Sequence, residues 1–223
     1  MKVKLLTTLA LGASLLPAQS DATKRLGVAA EMFKEVMGAP DKAIPQELLN
    51  KAQCIVIVPG LKKGAFFIGG KYGRGFVSCR KKDGVGWSAP GSIRVEGASI
   101  GLQIGGSETD VLMLVMNQRG MDRLLSTKFT LGADAAAAAG PVGRSTQAET
   151  DAAMTAEILT WSRSRGLFAG VSLSGATLRQ DDEWNNELYG RKIANREIIT
   201  TGVASPKPAD ELLAELNRYS SRK

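Results

Sequence analysis

Glycines divide the chain between residues 54 and 116 into short apolar runs, and this pattern constrains the fold more than any other feature. Runs of this length are typical of strands joined in hairpins, because a helix needs a longer periodic segment. The runs are CIVIVPG at 54–60, GAFFIGG at 64–70 and GRGFVSCR at 73–80, with further strands expected at 92–95, 99–104 and 110–116. The continuous apolar stretch at 111–115 predicts burial on both faces of a sheet.

Later runs extend the same sheet. Residues 158–161 and 167–178 are expected to pair as strands that turn near Arg165 and Gly166. Strands joined in successive hairpins are antiparallel, since a parallel neighbour needs a long crossover connection. The alanine-rich segment at 132–144 contains glycines that allow close backbone approach, so we expect it to pack tightly against a neighbour rather than bind a ligand.

Helical patterns flank these strands. Residues 21–38 place Leu26 and Phe33 on an apolar arc opposite Lys24 and Lys34, which predicts an amphipathic helix. Other helices are expected at 46–52, after the cap residues Asn117 and Asp181, and at 209–220. The sequence therefore predicts one α+β domain over residues 21–223, a glycine-rich and predominantly antiparallel sheet packed with a few amphipathic helices, with its core at about 51–190.

The first residues have the pattern of an export signal. Lys2 and Lys4 precede an apolar run at 5–16, and the small-residue site Ala18-Gln19-Ser20 follows. We therefore expect residues 1–20 to be a signal peptide; the alternative is an internal helix. No later apolar stretch reaches the roughly 18 residues that a membrane-spanning helix needs.

Charge and cysteine content bear on the partners. Loss of Lys2 and Lys4 with the signal leaves 27 basic residues against 22 acidic ones, which favours anionic surfaces. Cys54 and Cys79 are the only cysteines. In an exported protein they form one disulfide, or else they are two small buried residues on neighbouring strands.

Catalytic patterns are scarce. The chain has no histidine, which removes the commonest general base and most catalytic zinc sites and counts against a hydrolase. Asp181 and its two acidic successors could hold a cation, but their place at a helix start favours capping. We expect no enzyme activity, no cofactor and no metal, while an enzyme of unfamiliar type using Asp or Glu with Arg is a third alternative.

Basic residues adjoin the glycine-rich turns. Backbone amides of such turns and arginine side chains bind phosphate, so a phosphate-bearing headgroup fits this set; separately solvated charges are the alternative. The set comprises Lys62, Lys63, Lys71, Arg74, Arg80 to Lys82, Arg144, Arg163 and Arg165.

Several segments resemble signatures of the SYLF family, which includes the yeast-type actin-binding domains. They cover most of residues 51–189: KAQCIVIVPGLKKGAFFIGGKYGRGFVSCR at 51–80, GWSAPGSIRVEGASIGLQIGG at 86–106, TDVLMLVMN at 109–117, GADAAAAAGPVGR at 132–144 and SRSRGLFAGVSLSG at 162–175. The resemblance implies phosphoinositide binding through an amphipathic N-terminal helix and basic residues, and actin binding in yeast members. Bacterial members are typically exported, which makes ordinary anionic phospholipid the expected ligand here.

By this resemblance the helix at 21–38 takes the lipid-binding part. Lys24, Arg25 and Lys34 then contact headgroups, while Leu26 and Phe33 enter the acyl boundary. The expected function is peripheral, non-enzymatic lipid binding in the periplasm or outside the cell, with no nucleic-acid partner. The alternative is an envelope scaffold or protein-interaction module without lipid affinity, which burial of Leu26 and Phe33 would favour.

Overall fold

The computed structural model describes residues 20–39, 44–66, 68–100, 105–141, 156–164, 167–171 and 173–221. Its helices are α1 (Asp21–Gly38), α2 (Gln46–Lys51), α3 (Gln118–Leu124), α4 (Asp182–Tyr189), α5 (Asn195–Thr200) and α6 (Asp210–Ser220). Its strands are β1 (Cys54–Phe66), β2 (Ile68–Cys79), β3 (Gly91–Ile100), β4 (Gly105–Val115), β5 (Lys128–Thr130), β6 (Ala137–Ala139), β7 (Ile158–Ser164), β8 (Leu167–Gly170) and β9 (Thr177–Gln180). The expected α+β domain is confirmed. The expected signal peptide lies, except for Ser20, outside the described residues.

Local capping chemistry sets the helix ends. The Asn117 side chain accepts a hydrogen bond from the Gly120 amide at the start of α3. Asp181 caps α4 in the same way through the Trp184 amide, and Gly190 ends that helix with a φ of 67°. Both caps agree with the sequence prediction, because a short polar side chain satisfies amides that the helix leaves free.

The described strands form one sheet in the order β5-β9-β3-β2-β1-β4-β7-β6, with β8 added to β7. Neighbours are antiparallel except for the parallel pair β6 and β7, which confirms a predominantly antiparallel sheet. The three apolar runs expected between residues 54 and 80 form two long strands instead. The reason is a register shift after Ile57, where β1 continues through Pro59 and Gly60 as a bulge instead of turning.

Two further expectations about the strands were wrong. The strand expected at 167–178 is divided into β8, which pairs with β7, and β9, which pairs with β3 and β5. Residues 92–95 and 99–100 belong to the single strand β3, which pairs with β2 without interruption through Gly97. Glycine at that point allows the close approach of the Gly175 carbonyl oxygen, 3.2 Å from where a Cβ would lie. It marks a packing contact and not a turn.

The sheet is buried on both faces, as predicted for residues 111–115. Alternate residues of β1 enter two cores: Ile55 and Ile57 pack beneath α1 and α6, and Val56 and Val58 pack on the other side. We call these the helix-side core and the far-side core. Among the described residues no helix is long and apolar enough to cross a membrane.

The alanine-rich segment packs as expected where it is described. Ala137–Ala139 forms β6, and at Gly140 a Cβ atom would lie only 2.0 Å from the Trp161 ring. No larger residue fits there without displacing the indole. The rest of the segment, from residue 142, lies outside the described residues.

Cys54 and Cys79 lie directly opposite each other on β1 and β2, and both are fully buried in the far-side core. They form a disulfide across 25 residues of sequence. The two alternatives left open by the sequence are therefore both realised: the cysteines are buried on neighbouring strands and are also bonded.

Removal of this disulfide should lower the stability. A closed loop of this length predicts a loss of about 3.5 kcal/mol in the free energy of unfolding, through the greater entropy of the unfolded chain. Urea unfolding of a Cys54→Ala, Cys79→Ala variant against the oxidised protein measures it. Identical midpoints for the two proteins would show that the bond contributes nothing.

Candidate anion-binding surface

The structure places the twelve residues singled out for lipid contact in very different environments. Arg144 and Arg165 lie outside the described residues. Leu26 and Phe33 are 0% exposed in the helix-side core. Phe33 makes an edge-to-face contact with Tyr219 of α6, with ring centroids 5.8 Å apart. In this structure the apolar side of α1 packs against α6 and the sheet, so it is not accessible to a bilayer. The alternative of a scaffold without lipid affinity expects this burial.

The outer side of α1 has no excess of positive or negative charge. Lys24 and Lys34 are exposed, as predicted, but so are the acidic residues Asp21, Glu31 and Glu35. The third basic residue, Arg25, is half-buried. Basic and acidic residues are therefore equal in number along this helix, and α1 provides little net attraction for an anionic surface.

Three of the arginines hold the fold together. Arg25 donates to the carbonyl oxygen of Pro59 at 2.9 Å, at the bulge of β1. Arg163 bonds Asp110 at 2.7 Å and also pairs with Glu35 of α1. These contacts fix both halves of α1 to the sheet, so both guanidinium groups are already engaged.

Arg74 is engaged in the same way at the start of α4. Its Nε atom lies 2.9 Å from the Asp181 carboxylate, its guanidinium also pairs with Glu183, and it covers the Trp184 ring at 4.8 Å. Asp181 is 1% exposed, and its burial raises its pKa, although the Trp184 amide and the two nearby arginines oppose this. No group of three metal-ligating side chains occurs in the described ranges, and Asp181 acts as the predicted helix cap.

The remaining lysines come together where β1 and β2 extend beyond the cores. Lys63 and Lys71 lie directly opposite each other, and their outer neighbours across the sheet are Ser107 and Gly97. Residues opposite each other share a face, so the two ammonium groups project side by side. We call Lys63 and Lys71 the lysine pair; Lys62, one residue earlier, projects from the other face and is exposed.

The lysine pair lacks a neutralising partner within the described residues. Neither side chain forms an ion pair there, and the same-face positions next to Lys71 along β2, Gly69 and Gly73, carry no side chain. Partial burial and, to a smaller extent, the charge of Lys63 lower the pKa of Lys71 below its ordinary value. Like charges directly opposite on a sheet are destabilising, so an anion bound between them would relieve a cost that the fold bears.

Known proteins resemble this chain over most of its length. The family model described as "Ysc84: Las17-binding protein actin regulator" matches residues 96–219, which is more than half of the chain. The SH3 domain-containing YSC84-like protein 1 of Rattus norvegicus is 31% identical over 207 residues, covering 92% of this chain and 60% of that protein. Protein YSC84 of Saccharomyces cerevisiae is 36% identical over 183 residues, covering 80% and 38%, respectively.

LAS seventeen-binding protein 3 of Saccharomyces cerevisiae is 33% identical over 203 residues, which cover 89% of this chain and 44% of that protein. The chain thus spans about 60% or less of the relatives that it matches. The family match runs from within β3 to α6, and it agrees with the signatures found in the sequence. The chain belongs to the Ysc84 family of SYLF-domain proteins.

Proposed function

We propose that the protein is a non-enzymatic module that attaches peripherally to anionic phospholipid, and that the lysine pair rather than α1 makes the contact. One observation carries the proposal: Lys63 and Lys71 project side by side without a carboxylate partner in the described part of the chain. Two adjacent ammonium groups attract a phosphate-bearing surface, and each basic residue near such a surface contributes about 1 kcal/mol.

The place of action follows from the expected signal peptide. An exported chain would meet a membrane from outside the cytoplasm, and ordinary anionic phospholipid is the ligand expected there. The family description refers to Las17 binding and actin regulation, and the name of one relative refers to Las17 binding. The lysine pair requires only a phosphate group, on whichever side of a membrane that group lies.

Charge reversal of the lysine pair should weaken vesicle binding strongly. The purified protein is expected to sediment with vesicles that contain phosphatidylglycerol and not with phosphatidylcholine vesicles, and rising salt should weaken the binding. Lys63→Glu, Lys71→Glu changes four units of charge at the proposed contact. We expect a fall in affinity of at least about thirtyfold, since the two lost contacts alone cost about 1 kcal/mol each.

Lys24→Glu, Lys34→Glu is the matched control, with the same charge change on the outer side of α1. It should weaken binding by less than about threefold, because only long-range electrostatic attraction is lost. If the α1 variant lost more affinity for vesicles than the lysine-pair variant, α1 and not the lysine pair would make the membrane contact. Equal sedimentation with acidic and neutral vesicles would refute lipid binding altogether.

A protein-interaction module without lipid affinity is the second candidate, and the burial of Leu26 and Phe33 favours it. A helix that gives its apolar side to the core cannot insert that side into a membrane without partial unfolding. Under this alternative the vesicle experiment is negative at every salt concentration.

A further inference from the structure

A second basic surface lies on the face of the sheet opposite the lysine pair. Register pairing aligns Arg74 of β2 with Arg94 of β3, Arg94 with Arg179 of β9, and Arg179 with Lys128 of β5. Four cations therefore stand in one line across four adjacent strands, and we call them the cation row. Cross-strand neighbours lie about 4.5–5.5 Å apart at Cβ, so the row is dense as well as straight.

All four side chains project to the same side. Ile93, Val95 and Leu178, which adjoin these positions along β3 and β9, enter the far-side core. Alternation along each strand directs Arg94 and Arg179 away from that core. The row begins beside α4, where Arg74 covers Trp184, and ends at β5, the edge of the sheet.

Internal carboxylates neutralise mainly one end of the row. Arg74 is paired with Asp181 and Glu183. Arg94 is 3.9 Å from Asp181, and Arg179 is 3.4 Å from Glu96 on the neighbouring register position. Lys128 is exposed and forms no ion pair within the described residues. Among the outer three cations, Arg94 and Arg179 therefore each have one carboxylate, at 3.9 Å and 3.4 Å, and Lys128 has none within the described residues.

The neighbouring row adds the features of a protein contact. Tyr72, two residues before Arg74 on the same face of β2, is 47% exposed. Next to it run Glu96, Thr177 and Thr130, whose register continues across the same strands. Exposed tyrosine and arginine are residue types enriched in protein interfaces.

We propose that the cation row is a docking surface for an acidic protein segment. Its two middle members, Arg94 and Arg179, have planar forks that bind carboxylates with two parallel hydrogen bonds, whereas lysine acts as a point charge; the fork of Arg74 is already held by Asp181 and Glu183. This distinguishes the row from the lysine pair on the other face. The two surfaces are independent, so the protein can hold a membrane with one face of the sheet and an acidic partner with the other.

Fluorescence polarisation with labelled deca-glutamate, and deca-glutamine as the neutral probe, tests this surface. We expect the acidic peptide to bind at low ionic strength and the neutral peptide not to bind. Arg94→Gln, Arg179→Gln should weaken binding about tenfold, which corresponds to about 1.4 kcal/mol. The matched control is Arg191→Gln, Arg218→Gln, which removes two exposed arginines that each pair with one glutamate elsewhere. It should change the affinity by less than about twofold.

Two further variants keep the test decisive if the double variant is poorly folded, as judged by its melting curve. Arg179→Lys keeps the charge and loses the planar fork, and Lys128→Gln removes the exposed end of the row. Each should lower the affinity for the acidic peptide about threefold and leave vesicle binding unchanged. Equal effects of the two double variants, or equal binding of both peptides, would overturn the proposal. So would an Arg94, Arg179 variant that loses vesicle binding while it keeps its affinity for the peptide, because the row would then belong to the membrane surface.

Discussion

Replacing Phe33 by alanine is expected to lower the free energy of unfolding by about 3–5 kcal/mol, the cost typical of removing a buried phenyl ring. Phe33 is fully buried and contacts Tyr219 across the junction of α1 and α6. Removal of the ring leaves a cavity that the backbone of α1 cannot move to close, because contacts of Arg25 and Glu35 hold the helix against the sheet. Urea unfolding followed by circular dichroism measures the change.

Val28→Ala is the control on the same helix. Val28 is 47% exposed, so its truncation should change stability by no more than about 0.5 kcal/mol. A small effect of Phe33→Ala would mean that α1 is loosely held and free to bind a membrane. The same variant also tests the lipid mode: if membrane binding needs α1 to leave the core, loosening the helix should strengthen vesicle binding, whereas the lysine pair predicts no gain.

Arg80→Met should cost about 3 kcal/mol or more, although it replaces a charged residue by an apolar one of similar length. Arg80 is buried and donates to the carbonyl oxygens of Leu49 and Ala52 and to Ser220 at the end of α6. Its guanidinium also lies 3.9 Å from the Trp87 ring centroid. Each buried acceptor left without a donor costs about 1–3 kcal/mol. The carbonyl oxygens of Leu49 and Ala52 both lose the hydrogen bond from Arg80, whereas that of Ser220 keeps one from Trp87.

Arg218→Met is the corresponding exposed control, with a side chain 64% accessible that contacts Glu215 at 3.7 Å and lies 5.5 Å from the Tyr219 ring centroid. Chemical denaturation of both variants should show a loss of stability for Arg80→Met alone. The result matters for function because Arg80 belongs to the basic cluster first grouped with the anion-binding residues. Wild-type stability in Arg80→Met would return it to that group; the expected loss assigns it to the packing of α2 and α6.

Local features of the sequence accounted for elements and their ends. Asn117 and Asp181 cap helices, and Gly190 ends one, because each acts on amides or carbonyls a few residues away. The bulge at Pro59 and Gly60 was not predicted, because glycine occurs in turns and in bulges and does not distinguish them. For the same reason, the continuity of β3 through Gly97 was not predicted.

The site could be predicted less well than the elements. Lys63 and Lys71 were included among the basic residues, but so were Arg74 and Arg163, which ion pairs occupy. Arg94, Arg179 and Lys128 were not singled out, because their alignment depends on pairing between strands distant in sequence. Their one local signal is that Arg94 and Arg179 each stand between two residues that face the opposite side.

By itself the sequence determined the class of fold, the antiparallel sheet and the amphipathic character of α1, because glycine spacing and apolar periodicity act over a few residues. Tertiary structure alone decided that the apolar side of α1 is covered by α6, that Cys54 meets Cys79, and which basic side chains lack an acidic partner in the described residues. The physical reason is that the apolar side of a helix can pack equally well against a membrane or a protein core. A charged side chain can likewise be stabilised by solvent or by a carboxylate. Only the neighbours that folding brings from far along the chain distinguish these outcomes.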